Sequence, residues 1–179
     1  MKRHTRIVRV AHWLNALAFF GLAISGVAIL LAHPRLYWGE SGAVGMPSLI
    51  DLPLPFLLTG QSGWGRSLHF LSAWVAVFNG LLYFTGFRSG AMCGYGGLQR
   101  LAYSVVVFLL FPLMIWTGFA MSPAITSVAP VIVTALGGQQ SARTIHFFAA
   151  DALVLFLFGH VAMVWLTGFR KNMRAMVFG

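Results

Sequence analysis

The stretch RTIHFFAADALVLFLFGH, residues 143–160, decides the fold. It continues apolar to Phe169, where Arg170 and Lys171 close it, which is the length and the flank of a membrane-spanning helix. His146 and His160 stand 14 residues apart in it. At 100° per residue that is about 1400°, about 40° short of four full turns, so the two imidazoles share one face. At 1.5 Å per residue they lie about 21 Å apart along the axis, one in each leaflet of a bilayer. A histidine inside a span is costly to place and usually faces the bundle interior, so each asks for a partner on another helix.

The composition agrees with a membrane setting. Of 179 residues, 59% are hydrophobic and only 8% charged, against about 25% charged in an ordinary soluble domain. The length suits one membrane domain over 1–179. The formal net charge of +9 does not point to nucleic acid, because the basic residues flank apolar segments instead of forming a polar basic surface. The single cysteine, Cys93, has no partner for an internal disulfide and no metal-ligand spacing around it, and reads as incidental. The basic start, Met1 to Arg9, looks like that of a signal peptide. The apolar segment behind it is too long and has no clear cleavage site, so it reads as a retained first helix.

Three further spans are expected: about 10–31, with Gly21, Ser25 and Gly26 allowing close approach of a neighbour; about 68–87; and about 101–121, kinked at Pro112. The fourth is about 144–169. Even helix number puts both termini on one side. Lys2, Arg3, Arg6, Arg9, Arg88, Arg100, Arg170, Lys171 and Arg174 fall on that side, and Arg35, Arg66 and Arg143 opposite. Nine against three predicts cytoplasmic termini in a bacterial inner membrane, with 33–65 and 122–143 on the periplasmic side.

Four histidines fall within spans: His12, His69, His146 and His160. His146 lies three residues in from Arg143, and His69 three residues in from Arg66, so these two match in depth. His12 lies three residues in from Arg9 on the other side and leaves His160 as its partner, a looser match because His160 is ten residues before Arg170. Two opposed imidazoles in a bundle core hold haem iron with both axial positions filled, as electron carriers do. A zinc site would need about four ligands converging at one depth. Without Cys-x-x-Cys-His, covalent haem attachment is excluded. His4 in the basic tail and His33 at the start of the outer loop read as solvated.

With the histidines placed, the sequence resembles the bacterial cytochrome b561 and nickel-hydrogenase cytochrome b superfamily, which includes membrane subunits of formate dehydrogenases and thiosulfate reductases. The resemblance covers nearly the whole chain. It rests on Arg9-Val10-Ala11-His12-Trp13 opening the first helix, a histidine early in the second, and Arg143-Thr144-Ile145-His146 followed by His160. It implies an all-α, integral membrane four-helix bundle with two haems b, one held by His12 and His160 and the other by His69 and His146. The segment from His33 to Glu40 is similar to the thiosulfate reductase cytochrome b-like branch, which is associated with molybdopterin oxidoreductases. The expected function is therefore an electron-transfer subunit between a periplasmic redox partner and quinone. The chain has no iron–sulfur cysteine set and no dinucleotide fingerprint, so substrate chemistry would sit on another subunit. Two alternatives stand beside it: a self-contained cytochrome b561 oxidising a small reductant such as superoxide, and a proton-linked transporter or structural anchor.

Arg66 and Arg143 could pair with haem propionates, or simply anchor at the interface. Arg6 and Arg9 read first as topological anchors. Asn15, one turn from His12, is a candidate for a quinone hydrogen bond. Asp151, the single acid inside a span, reads either as a proton relay or as a protonated group bonded to a neighbouring helix. The six tryptophans are expected at interfaces and in bundle cores, and receive no redox role.

Overall fold

In the computed structural model, which describes residues 5–43, 45–52, 62–86 and 97–178, Thr5 opens the first helix. Its hydroxyl accepts from the Val8 N–H at 3.4 Å, and α1 runs from Arg6 to Ala32. Lys2, Arg3, His4, Arg88, Cys93 and residues 53–61 of the long connection lie outside the described residues. The chain divides into two units: Met1–Pro34, Leu54–Cys93 and Ala162–Gly179 form one, and Arg35–Pro53 with Gly94–Val161 the other.

The first unit is built on α1 and α2 (Ser62–Gly86). Their contact is a seam of small residues at sevenfold spacing: Ala11, Ala18 and Ser25 on α1, and Gly65, Ser72 and Asn79 on α2, all buried. The helices run antiparallel, because Asn79 Nδ2 donates to the Ala11 carbonyl at 2.7 Å at one end while Gly65 packs on Ala28 at the other. Between them a Cβ on Gly21 would collide with the Ser72 hydroxyl. Small side chains let helix backbones approach closely where apolar burial alone gives no drive. The outer face of α1 exposes Leu14, Leu17, Phe20, Ile24 and Val27, the side chains expected against lipid.

The end of α7 (Gln139–Leu166) also belongs to this unit. The chain turns at Gly168, with φ +109, into α8 (Phe169–Val177). Asn172 Nδ2 ties the elbow by donating to the Val164 carbonyl at 3.1 Å and to Thr167 Oγ1 at 2.8 Å. Arg9 Nη1 and Trp13 Nε1 donate to the Val177 and Met176 carbonyls at 3.0 and 3.2 Å. They supply donors to the final carbonyls of α8, which have no partner within a helix.

In the second unit, two-residue strands β1 (Arg35–Leu36) and β2 (Ile50–Asp51) pair antiparallel, with an Arg35 Nε to Asp51 Oδ2 ion pair of 3.0 Å. This ladder is a departure from a purely helical expectation. Its neighbouring chain is bolted to the start of α7: Gly39 N donates to Ser141 Oγ at 2.7 Å, and Thr144 Oγ1 donates to the Tyr37 carbonyl at 2.7 Å. The Gln140 N–H donates back to the Gly39 carbonyl at 2.9 Å.

The unit's other long helix is continuous through three parts: α3 (Gly97–Val105), a π turn (Val106–Leu110) and α4 (Phe111–Ala120). The Phe111 N–H reaches back to the Val106 carbonyl across the wide turn. Pro112 follows at once. Proline lacks an N–H and clashes with the carbonyl one turn earlier, and the π turn accommodates it inside the helix. Short helices α5 (Pro123–Thr126) and α6 (Val131–Thr134) follow, and Trp116 Nε1 donates to the Ile132 carbonyl at 3.0 Å.

Among the described residues three helices are long and apolar enough to cross a membrane: Arg6–Ala32, Gln99–Ala120 and Gln139–Leu166. They contain most of the first, third and fourth expected spans. α2 covers nearly all of the expected second span at 25 residues and carries Arg66, His69 and Asn79, but is not among the three. Two boundaries differ from expectation. α2 starts at Ser62, inside the expected outer loop 33–65, and the fourth helix ends at Leu166 because Gly168 leaves helical geometry.

Candidate functional site

His69 sits on α2 with its ring against α1. Its Nδ1 is 2.9 Å from Ser25 Oγ, and Gly26 faces its Cε1. The serine hydroxyl already donates to the Gly21 carbonyl at 2.6 Å. A hydroxyl has one proton, so towards His69 it accepts, and the imidazole presents N–H at Nδ1. The lone pair available for a metal is then on Nε2.

His146, on α7 in the other unit, repeats the arrangement. Its Nδ1 is 2.7 Å from Thr117 Oγ1 of α4, the threonine hydroxyl donates to the Leu113 carbonyl at 2.7 Å, and Gly118 faces the Cε1. His160, further along α7, has Tyr103 Oη at 3.3 Å from its Nδ1 and stacks on Phe156, ring centroids 6.2 Å apart. Tyr103 closes the cluster edge-on to Phe156 at 5.6 Å. His12 is half-buried on α1 with its ring 5.5 Å from that of Trp13.

The other expected residues are placed less tightly. Arg66 is exposed one turn before His69, Arg143 is half-buried one turn before His146, and Asn15 is half-buried one turn beyond His12. Asp151 is exposed on α7, so it is not the buried acid that a proton relay within a bundle requires. Ser25 was visible in the sequence only as a small residue, and Thr117 and Tyr103 were not singled out. The signal was there in Ser25-Gly26 and Thr117-Gly118, a hydroxyl followed by glycine in an apolar helix.

The family described as prokaryotic cytochrome b561 matches residues 3–179. The chain belongs to the prokaryotic cytochrome b561 family. It is also similar to a putative protein-methionine-sulfoxide reductase subunit, YedZ1, of Azospira oryzae, 29% identical over 211 aligned positions that cover 98% of this chain and 96% of the relative. No solved structure matches. As a cytochrome b561 the chain is a membrane electron-transfer protein, and haem b is the cofactor that membership implies.

The donor chemistry fits that group. Haem supplies four nitrogens of its own and needs only axial imidazoles, one per side. Histidines that bind metal through one nitrogen characteristically donate from the other, which is the state the hydroxyls impose on His69 and His146. Among the described residues no three of His, Cys, Asp or Glu converge.

Proposed function

We propose that this cytochrome b561 is a four-span subunit that holds two haems b, one between His12 and His160 and one between His69 and His146, and passes electrons between quinone and a partner oxidoreductase. Each pair takes one histidine from each unit, and the pairing rests on the depths read from the sequence. The observation that carries the reading is the engagement of His69 and His146 at Nδ1 by hydroxyls that can only accept. Bis-histidine haem b supplies a one-electron carrier without an open iron position. The histidines orient it from opposite faces, Arg66 and Arg143 face its propionates, and the lipid-exposed helices keep bulk water from the centre.

The relative's name describes a subunit of a reductase, which supports a partner that consumes electrons outside this chain. The partner is a reductase of the methionine-sulfoxide type, docking on the side of 33–65, and quinol supplies the electrons near His12, Asn15 and His160. The termini lie in the cytoplasm, as the nine-to-three distribution of basic residues supports.

The test is haem content and electron flow. Purified chain is expected to carry two low-spin haems b, reduced by a quinol analogue and reoxidised on addition of the partner with a methionine sulfoxide. A stoichiometry of one or none overturns the di-haem reading. Haems that reduce yet are not reoxidised by that partner overturn its assignment.

A further inference from the structure

The surroundings of His69 and His146 are alike although they come from helices of different units. Ser25 and Thr117 are both 0% exposed. Each spends its proton on the carbonyl four residues back, Gly21 at 2.6 Å and Leu113 at 2.7 Å. Each then stands at a histidine Nδ1, at 2.9 and 2.7 Å. The residue after each is glycine, and a Cβ there would meet the Cε1 of the same ring at 3.8 Å for Gly26 and 3.9 Å for Gly118.

We infer that Ser25-Gly26 and Thr117-Gly118 are matched positioning elements that set how strongly His69 and His146 donate to haem iron. This rests on the haem reading above. A hydroxyl whose proton is committed is a one-way acceptor, so it fixes the imidazole tautomer and holds Nε2 as the ligand atom. Donation from Nδ1–H leaves more electron density at Nε2 and makes the imidazole a more basic ligand. A more basic ligand favours ferric over ferrous iron and lowers the potential. The glycine leaves room beside Cε1, so the hydroxyl chooses the ring plane without a competing side chain. His160 is treated differently: Tyr103 Oη stands 3.3 Å away, beyond the usual N–H···O range of about 2.7–3.2 Å.

Serine and threonine in membrane helices often bond their own carbonyls and bend the helix, so the experiment must separate positioning from shape. Thr117→Val, Ser25→Ala and Thr117→Ser are purified and titrated redox-potentiometrically, with haem content and low-spin ferric electron paramagnetic resonance recorded. Thr117→Val and Ser25→Ala are each expected to raise the potential of the same one of the two haems. The expected change is about threefold in the oxidised-to-reduced ratio at fixed ambient potential, about 28 mV at 59 mV per decade. The low-spin signal of that haem should shift, and Thr117→Ser should restore both. Loss of that haem in Thr117→Val with retention in Thr117→Ser supports the proposal equally, because only the hydroxyl distinguishes them. Unchanged potential and signal in both variants, or equal loss of the haem in Thr117→Val and Thr117→Ser, overturns it. Wild-type chain without haem overturns the reading underneath it instead.

Discussion

The two histidines of α7 are held in contrasting ways. His146 meets a fully buried threonine hydroxyl at 2.7 Å, in a stretch where Ser141 and Thr144 also pin the 35–52 segment. His160 meets a half-buried phenol at 3.3 Å and an aromatic stack, with exposed Phe158, Gly159 and Val161 around it. One end of the helix is fixed by short polar contacts whose geometry is directional, and the other by ring packing that tolerates small displacements. The difference teaches that a single helix can carry two ligands of the same type with unequal rigidity.

The most drastic way to break the comparison is to remove each ligand. His146→Ala and His160→Ala are each expected to halve the haem content, and His69→Ala should give the same remaining spectrum as His146→Ala, measured by haemochrome assay and reduced-minus-oxidised difference spectra. A spectrum for His69→Ala that matches His160→Ala instead would reverse the pairing.

Next in size is the backbone that supports the His146 end. Gly138 has φ +116, and a Cβ there would lie 2.5 Å from the Gly39 carbonyl carbon and oxygen. Gly138→Ala therefore meets both backbone strain, of order 1–3 kcal/mol, and a collision with backbone that cannot turn aside. A loss of about 3 kcal/mol is expected, read as a lowered midpoint in thermal unfolding in detergent, with the His146 haem released first. At the opposite end of α7, Gly168 has φ +109 and only Lys171 Cβ at 3.9 Å to meet. Gly168→Ala should cost about 1 kcal/mol through conformation alone, and equal costs for the two glycines would show that the contact with Gly39 contributes nothing. The smallest effect should come from Tyr103→Phe, which removes a long hydroxyl contact and keeps the ring. Its change in haem potential should be smaller than that of Thr117→Val, and a larger one would invert the contrast drawn above.

The ligand histidines were legible because charge and hydropathy place them at definite depths, and because 14 residues bring His146 and His160 to one face. The hydroxyls that orient them were not. Thr126, Ser127, Thr134 and Thr167 also bond carbonyls three or four residues back without touching any histidine, so the local pattern does not mark Ser25 and Thr117. Only the neighbouring helix distinguishes them. The α1–α2 seam was half legible: Gly21 and Ser25 pointed to close packing, while the partner series Gly65, Ser72 and Asn79 is scattered among Trp, Phe and Val and is recognised by its sevenfold spacing. The break at Gly168 was missed because the basic residues of α8 read as the flank of a longer span. The anchoring of 35–52 depends on contacts over 102 and 107 residues of separation, which no local signal carries.

The π turn at Val106–Leu110 has a consequence for angular phase. Tyr103 and Thr117 are 14 residues apart, as are the histidines they contact. The π turn falls between them, so one helix of the pair winds by about one residue, roughly 100°, less than the other over the same count. It is that lag which lets both contacts form. Deleting a single residue from Val106–Leu110 would close the wide turn into ordinary helix. Tyr103 and everything before it would stay beside His160, while Thr117 and Gly118 would move about one residue's rise along the axis and lose their place at His146. The length of this helix is thus a specification of direction as well as of span, and a one-residue indel would disconnect one ligand while sparing the other.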